Sequence, residues 1–491
     1  MCSQNFASLA ETHPTRTIAT TGASSNKMTK TPDSCNTGRA QAVRTLRQCS
    51  QDIAQYSDPQ CDEDYVKLIG ILEKKARALD ALNQYSQMSA CLEKIVKLAR
   101  SSLPSHNLSL PNALEGLAEC RAIMGDRVAA VSLFKECLEV RELAGMLETH
   151  PSQTACLKRM GDLHRDQDSL DKALEIYLEV LSLRRSIAKP DAGKKEVAKL
   201  AEALHDVGTT YHLCGEFERA IPFLKDALEL KEKIASTRSG KGGSRGEEVK
   251  DATTEESEKD DIVEEGQEEE EVFMEMMYGL ASTYAKNAEY TLAQPIYTEL
   301  IARRRNEDPP NYIKLAQALT NVGAMHMEAG NCALALPFQE EALDILRMVL
   351  PEAHPQIAQA LGNLGEVYRR LEDHDRALKL FQASLAMQRA RGAASAMGKD
   401  SLEGISPMSM AGILNNLALL YRAMDKYTQA EQQLEEAVAW VKRAVPSGHP
   451  YITSMEKSLS ALRHEAKDKA AGTYDPTMYA ETWGLHSKIV T

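Results

Sequence analysis

The 491 residues are 43% hydrophobic and 26% charged, with only 5% aromatic residues, a composition typical of a soluble protein and poor for a strand-rich one. The net charge of −13 is concentrated, because residues 247–271 hold 14 acidic residues and 2 lysines. The rest of the chain has no basic stripe and no apolar run near the roughly 18 residues that span a bilayer, so we expect neither a nucleic-acid partner nor membrane insertion.

The N-terminal region has two predicted parts. Residues 1–40 are rich in Ser, Thr, Asn and Pro and show no apolar periodicity, which predicts a disordered tail. They lack the basic segment and the apolar segment after it that begin a signal peptide. Cys2 in place of glycine excludes N-myristoylation. A short helix is predicted from Gln41 to Gln55.

An internal repeat follows. Residues 203–228, 318–343 and 360–385 align without a gap. Each begins its pattern with a small residue, which is followed three residues later by a larger one, twelve later by Ala, and nineteen later by another small residue. The pattern predicts two antiparallel helices that approach closely at the small residues, with turn residues such as Gly215 and Gly330 between them. The leading small residues are Ala76, Ala118, Gly161, Gly208, Ala281, Gly323, Gly365 and Ala418.

This pattern resembles the tetratricopeptide repeat over roughly residues 65–469. The resemblance implies an all-α fold, a right-handed α-α superhelical solenoid of about eight helix pairs, that binds other proteins. The spacings of the small residues are 42, 43, 47, 73, 42, 42 and 53, and the 42-residue spacing resembles the kinesin light chain and nephrocystin type rather than the usual 34. Kinesin light chains carry a heptad coiled coil before their repeats; this sequence has none, so we expect a protein that shares the repeat type and is not a true light chain.

The 73-residue interval indicates an insert at 236–272, between an N-terminal block of about four repeats at 41–235 and a C-terminal block of about four at 273–469. The insert begins Gly/Ser-rich and basic and ends acidic, a composition that cannot form a core, so it is predicted to be disordered. It is either a solvated loop or an acidic tether that competes for the groove or binds a basic partner.

His-Pro recurs at 150–151, 354–355 and 449–450. Proline suits the first turn of a helix, where its missing N–H costs nothing. The third copy predicts a final helix at about 451–469 that caps the array, followed by a tail at 470–491.

Motifs for catalysis or cofactor binding are missing from the sequence. A G-x-S-x-G string occurs only in the insert, at 242–246, where a nucleophile elbow would lack its strand and helix. The ten cysteines are scattered without metal-binding spacing and are expected to be small buried side chains in a reducing compartment. His164 and His326 occupy a packing position of the repeat. We therefore expect no enzyme, no cofactor and no metal.

The resemblance implies that the first helix of each pair lines the concave surface and that the residue two before the small position points into it. Asparagine occupies this position in the last three repeats, and Arg159 and Asp206 occupy it earlier. Asn both donates and accepts, so a ladder of amides can grip a peptide backbone; alternatively, the amides bridge adjacent helices. Arginines about two turns further along would pair with acidic side chains. The candidate peptide-groove residues are Asn321, Asn363, Asn416, Arg369, Arg370 and Arg422.

Together these patterns predict a non-catalytic, cytoplasmic scaffold or adaptor that binds peptide segments of partner proteins. The resemblance to the kinesin light chain and nephrocystin type implies a cytoskeletal, ciliary or cargo-transport context. The alternative is a regulatory subunit of an enzyme or signalling complex that is gated by the acidic insert. The repeats favour no particular oligomeric state.

Overall fold

The computed structural model describes residues 32–56, 62–102, 108–147, 150–188, 193–239, 255–397, 407–446 and 449–479. These residues form helices joined by short turns, with no strand in the described ranges. The helices are α1 (Pro32–Gln55), α2 (Asp62–Ala81), α3 (Tyr85–Ser102), α4 (Ser109–Ile123), α5 (Arg127–Leu143), α6 (Pro151–Asp166), α7 (Leu170–Ile187), α8 (Lys194–Leu213), α9 (Phe217–Ser239), α10 (Glu255–Lys286), α11 (Tyr290–Arg305), α12 (Tyr312–Glu328), α13 (Cys332–Val349), α14 (Pro355–Arg370), α15 (His374–Met397), α16 (Pro407–Ala423), α17 (Tyr427–Ala444) and α18 (Pro450–Ala471).

The helices follow one another as eight pairs, α2–α3 through α16–α17, with α18 after the last pair. The two helices pack against each other in seven of these pairs, as α4 does with α5 and α12 with α13. The predicted all-α solenoid of repeat pairs with a capping helix is confirmed. The chain divides into two compact units, residues 16–283 (the N-terminal unit) and residues 284–491 (the C-terminal unit).

The two helices of each pair approach closely at the predicted small residue. A methyl group built on Gly365 would meet Cε1 of Phe381 at 2.8 Å, and one on Gly161 would meet Cε1 of Tyr177 at 2.7 Å. Both contacts are shorter than van der Waals packing allows, so an alanine at Gly365 or Gly161 would force the facing aromatic ring to shift. The alanine twelve residues after the small residue is fully buried in seven of the pairs: Ala130, Ala173, Ala220, Ala293, Ala335, Ala377 and Ala430.

Each pair turns through one residue with a left-handed backbone, seven residues after its small residue. Three of these are glycines, which adopt positive φ at no steric cost, and five are not. The eight residues are Asn83, Gly125, Asp168, Gly215, Ala288, Gly330, Glu372 and Asp425. This conformation recurs in register with the sequence pattern, so the chain reverses direction at the same point of the repeat in all eight copies.

Histidine caps the three helices that begin at the His-Pro pairs. Nδ1 of His150, His354 and His449 accepts a hydrogen bond from the backbone N–H two residues later, at 3.3, 3.3 and 3.2 Å. The proline at the first helical position lacks an N–H, so the ring satisfies the next free donor of the helix end. The third of these helices, α18, is the predicted cap, and it extends from 450 to 471.

Helices also extend into segments that the sequence predicts to be disordered. α1 begins at Pro32 within the predicted tail 1–40, because Ala42 and Cys49 on one side of it are buried; residues 1–31 lie outside the described residues. α9 and α10 enter the predicted insert 236–272 from either side and leave only 240–254 outside the described residues. Glutamate is a good helix former, and buried Met274 and Met276 anchor the continuing helix.

The division between the two units falls inside α10, at 283/284, whereas the sequence places the division at the insert. Of the predicted tail 470–491, residues up to 479 are described; they include Gly472, which has positive φ at the end of α18, and a 3-10 turn at Pro476–Tyr479.

Candidate functional site

The first helices of the last three repeats pack beside one another, α12 against α14 and α14 against α16. This arrangement aligns Asn321, Asn363 and Asn416, which hold the same position in each repeat and are each half-buried. Exposed Gln317 and Gln359 lie one turn earlier on α12 and α14. We call these five amide-bearing residues the amide face.

Two of the three asparagines have unused hydrogen-bonding groups. Among the described residues, none forms a hydrogen bond with the side chain of Asn363 or Asn416, whereas Asn321 already takes part in a contact of the fold. The amides of Asn363 and Asn416 therefore do not bridge adjacent helices within the described part of the chain. Each can offer two N–H donors and a carbonyl acceptor to an incoming group.

Arg369 and Arg370 lie close to the amide face and share one carboxylate. Arg369 forms two hydrogen bonds with Glu366, at 2.7 and 2.6 Å, and Nε of Arg370 forms a third at 2.7 Å. Burial would raise the pKa of Glu366, but the charges of the two arginines hold it below its usual value. Arg370 also donates to the backbone carbonyl of Met327 on α12 at 3.0 Å. The cluster has one net positive charge, and Arg370 is its more exposed member.

Arg422 is occupied by the capping helix. Its Nε and Nη2 donate to the two carboxylate oxygens of Glu465 on α18, at 2.7 and 2.9 Å. Glu465 is only 1% exposed and also accepts from the hydroxyl of Tyr427 at 3.1 Å. The expectation that Arg422 is available to acidic side chains of a partner is therefore revised, because its guanidinium neutralises a buried carboxylate within the fold.

The N-terminal unit uses the equivalent positions differently. Arg159 on α6 forms two hydrogen bonds with Glu119 on α4, at 2.7 and 2.6 Å. Lys158 lies 3.1 Å from Asp206 on α8, and the charge of Asp206 raises the pKa of Lys158. Neighbouring first helices are thus joined by ion pairs here, and these positions present no free amides. The sequence identified Arg159 and Asp206 as groove positions but not their partners.

A buried arginine recurs at the end of three second helices, and the sequence patterns described above do not identify it. Arg141, Arg184 and Arg304 end the second helices α5, α7 and α11 and are 1%, 8% and 3% exposed. Each lies 23 residues after its small residue, a spacing that would have revealed them. Arg184 lies 3.5 Å from Glu196 and Arg304 lies 3.2 Å from Glu307. These pairs join each second helix to the chain that follows it.

Within the described residues there is no group of three or more His, Cys, Asp or Glu side chains that could hold a metal ion. No described helix is both long and apolar enough to cross a membrane.

Comparison with family models matches the tetratricopeptide repeat to most of the helical pairs. One such model matches residues 109–186, 153–233, 273–348 and 314–390, and a second matches residues 410–451. Together they cover more than half of the chain. No curated protein matches the sequence.

Similar solved structures are distant in sequence. The apo form of RapI is 9% identical, with 82% of this chain and 98% of that chain covered at a TM-score of 0.53. BtubC from P. vanneervenii is 16% identical, with 55% and 90% covered at 0.39. A putative kinesin light chain from Podosopora anserina is 16% identical, with 47% and 92% covered at 0.32. At these identities the likeness to RapI is a likeness of fold.

Proposed function

Since the chain belongs to the tetratricopeptide repeat family, we propose that it is a non-catalytic scaffold or adaptor that binds extended peptide segments of partner proteins on the amide face. Tetratricopeptide repeats are generally a protein-interaction fold, and stacked first helices present a continuous surface for a partner. Fold alone does not define a function, so the proposal rests on the site.

The observation that carries the proposal is the pair of half-buried asparagines without hydrogen-bond partners among the described residues. A peptide backbone alternates N–H and C=O groups, and an amide side chain can bind both. Such binding depends little on the peptide sequence, and selectivity would come from neighbouring groups. Arg370 uses Nε and Nη1 within the fold, and its remaining Nη2 beside the amide face would favour a peptide with an acidic residue.

The test is a comparison of binding affinities. Peptides selected from a random library on the intact chain would be measured by fluorescence polarisation. We expect Asn363→Ala combined with Asn416→Ala to weaken binding about 30-fold, because two lost hydrogen bonds at about 1 kcal/mol each amount to about 2 kcal/mol.

The matched control replaces two amides on second helices. Gln382 on α15 and Gln432 on α17 are exposed, and Gln382→Ala combined with Gln432→Ala should leave the affinity unchanged. If both double variants bind as the wild type does, the amide face is not the binding site. If both lose binding equally, the effect is not specific to that face.

The cellular context belongs to the proposal as well. The 42-residue spacing resembles that of kinesin light chains and nephrocystin, and it supports a cytoplasmic role in cytoskeletal, ciliary or cargo transport. Imaging of a tagged chain would test it, and a diffuse distribution that ignores microtubules and cilia would count against this context.

The acidic segment supports a second candidate, a regulatory subunit gated by the insert. Residues 247–271 carry a net charge of −12, and those from Glu255 onward belong to α10. Deleting this whole segment would therefore also shorten a helix. Replacing its glutamates by glutamines keeps the helix propensity; the regulatory role predicts altered affinity for a partner, and an unchanged affinity would leave the segment as a connector.

A further inference from the structure

Two buried cysteines face each other across the contact between α5 and α6. Cys137 and Cys156 are both 0% exposed, and their Sγ atoms are 4.0 Å apart although the residues are 19 positions apart in the chain. Sγ of Cys137 also lies 3.1 Å from the carbonyl oxygen of Pro111. The pair joins the second repeat to the third within the N-terminal unit.

A buried guanidinium lies against this pair. Nη1 of Arg141 is 2.9 Å from Sγ of Cys156 and 3.1 Å from the carbonyl oxygen of Ser152. Nη2 donates to Glu115 at 2.5 Å, and the buried Nε has no hydrogen-bond partner. A nearby cation stabilises a thiolate over a thiol, and the thiolate is the reactive form of cysteine. The environment of Cys156 is therefore charged, unlike that of a cysteine buried only among apolar side chains.

We propose that Cys137 and Cys156 are an oxidation site that closes a reversible disulfide between α5 and α6. A disulfide needs an S–S distance of about 2.05 Å, so the two sulfurs must approach by about 2 Å. The small, uncharged oxidant hydrogen peroxide is the suitable reagent, because both side chains are closed to bulky disulfides.

Cys137 is the attacking residue. The hydrogen bond with Cys156 lowers the pKa of the Cys137 thiol; burial opposes this effect, and the charge of Arg141 adds to it. The same hydrogen bond and burial raise the pKa of Cys156. The first thiolate of the pair therefore forms on Cys137.

The reaction balances with peroxide as the oxidant. The Cys137 thiolate attacks one peroxide oxygen, the O–O bond breaks, and hydroxide leaves as water with the proton that the thiol gave up. Cys137 is then a sulfenic acid. The sulfur of Cys156 attacks it, the S–S bond forms, the S–O bond breaks, and a second water leaves with the Cys156 proton. Two thiols are oxidised to one disulfide, and peroxide is reduced to two waters.

Trypsin separates the two cysteines cleanly. Cleavage after Lys135, Arg141 and Lys158 releases Cys137 in the peptide 136–141 and Cys156 in the peptide 142–158. The intact, folded chain would be treated with hydrogen peroxide and then denatured in the presence of an alkylating agent, which blocks the remaining free thiols. It would then be digested with trypsin and analysed by mass spectrometry. We expect the two peptides as a linked species, two hydrogens lighter than their sum, that dithiothreitol separates.

Three variants sharpen the test. Cys137→Ser should abolish the linked species, and Cys120→Ser, at another buried cysteine, should leave it unchanged. Glu115→Gln removes the anion that pairs with Arg141, so it should raise the rate of linkage; an unchanged rate in a variant with the wild-type circular dichroism would contradict the role given to Arg141. The proposal is overturned if peroxide yields no linked pair, if it links Cys137 to other cysteines equally, or if it leaves only sulfinic acid.

Discussion

His354 shows how one side chain makes a helix start sensitive to pH. Its Nδ1 accepts from the backbone N–H of Gln356 at 3.3 Å, and a protonated ring cannot accept there. Burial, and then the charge of Arg391, lower the pKa of His354 below its usual value. The fold therefore holds the ring in its neutral, capping form, while the unfolded chain protonates it more readily.

Removal of this cap should loosen α14. We expect His354→Ala to reduce the free energy of opening of α14 by about 1 kcal/mol near neutral pH, the usual value of an N-cap. Hydrogen exchange of the α14 amides measures this energy. Exchange that matches the wild type would show that the ring does not cap the helix in solution.

The cap should also fail in acid. Because the folded pKa lies below the unfolded one, the contribution is complete above the unfolded pKa of about 6.5 and is lost as the pH falls through the folded pKa. His354→Asn caps without titrating, so α14 of this variant should gain stability relative to the wild type between about pH 7.5 and pH 5. A difference that stays constant over this range would contradict the assignment.

At these residues the sequence predicts the position of a side chain better than it predicts the group that the side chain contacts. Pro355 indicates the start of α14, but the role of His354 depends on a distance that no pattern contains. Asn363 and Asn416 follow from the repeat register, whereas their lack of hydrogen-bond partners had to come from the structure. Arg422 looked available because its partner, Glu465, lies 43 positions away on the capping helix.

The turn between paired helices is the element that all eight repeats share. Ala288 forms this turn with φ +60°, a backbone conformation that is sterically unfavourable for alanine but not for glycine. The following repeat uses Gly330, with φ +80°, at the equivalent position. The left-handed conformation is thus set by the fold even where the residue type disfavours it.

We expect Ala288→Gly to raise the free energy of unfolding of the C-terminal unit by about 1 kcal/mol. The matched control is Ala329→Gly, at a residue with φ −71°, where glycine only adds freedom to the unfolded chain and should destabilise by about 0.5 kcal/mol. Denaturant titration of both variants checks the signs. Equal destabilisation by both changes would show that the turn at Ala288 is not strained.

At the scale of the helix pair the sequence predicts the fold well, because the small residues recur where two helices must pack closely. Gly161, Gly208, Gly323 and Gly365 indicate where helices touch, and the turns follow seven residues later. The start of α10 was harder to predict, since acidic composition favours both a solvated segment and a helix. Buried Met274, which anchors that helix, lies beyond the acidic run.

At the scale of the whole molecule, a repeat array is held by neighbour contacts, and its end needs a cap. Glu465 is buried and charged, and Arg422 neutralises it through two hydrogen bonds. Removing one partner of such a pair leaves an uncompensated charge, at a typical cost of about 3–5 kcal/mol.

Arg422→Met should therefore expose the amides of α16–α18 to hydrogen exchange and leave those of α4–α8 as protected as in the wild type. Arg422→Met combined with Glu465→Leu removes both charges and should recover much of the lost protection. A uniform loss of protection along the chain would instead mean that the array unfolds as a single cooperative unit.

The left-handed turn residue keeps one distance constant: it lies seven positions after the small residue in every pair, while the distance from one pair to the next varies from 42 to 73. The variation in length thus falls on the ends of the helices and on the connections between pairs, and none falls between the small residue and the turn. For protein engineering, the connections between pairs, above all 240–254, are therefore the natural points at which to insert a reporter or to divide the chain for split-protein assays. A segment added there leaves the seven-residue spacing within every pair unchanged.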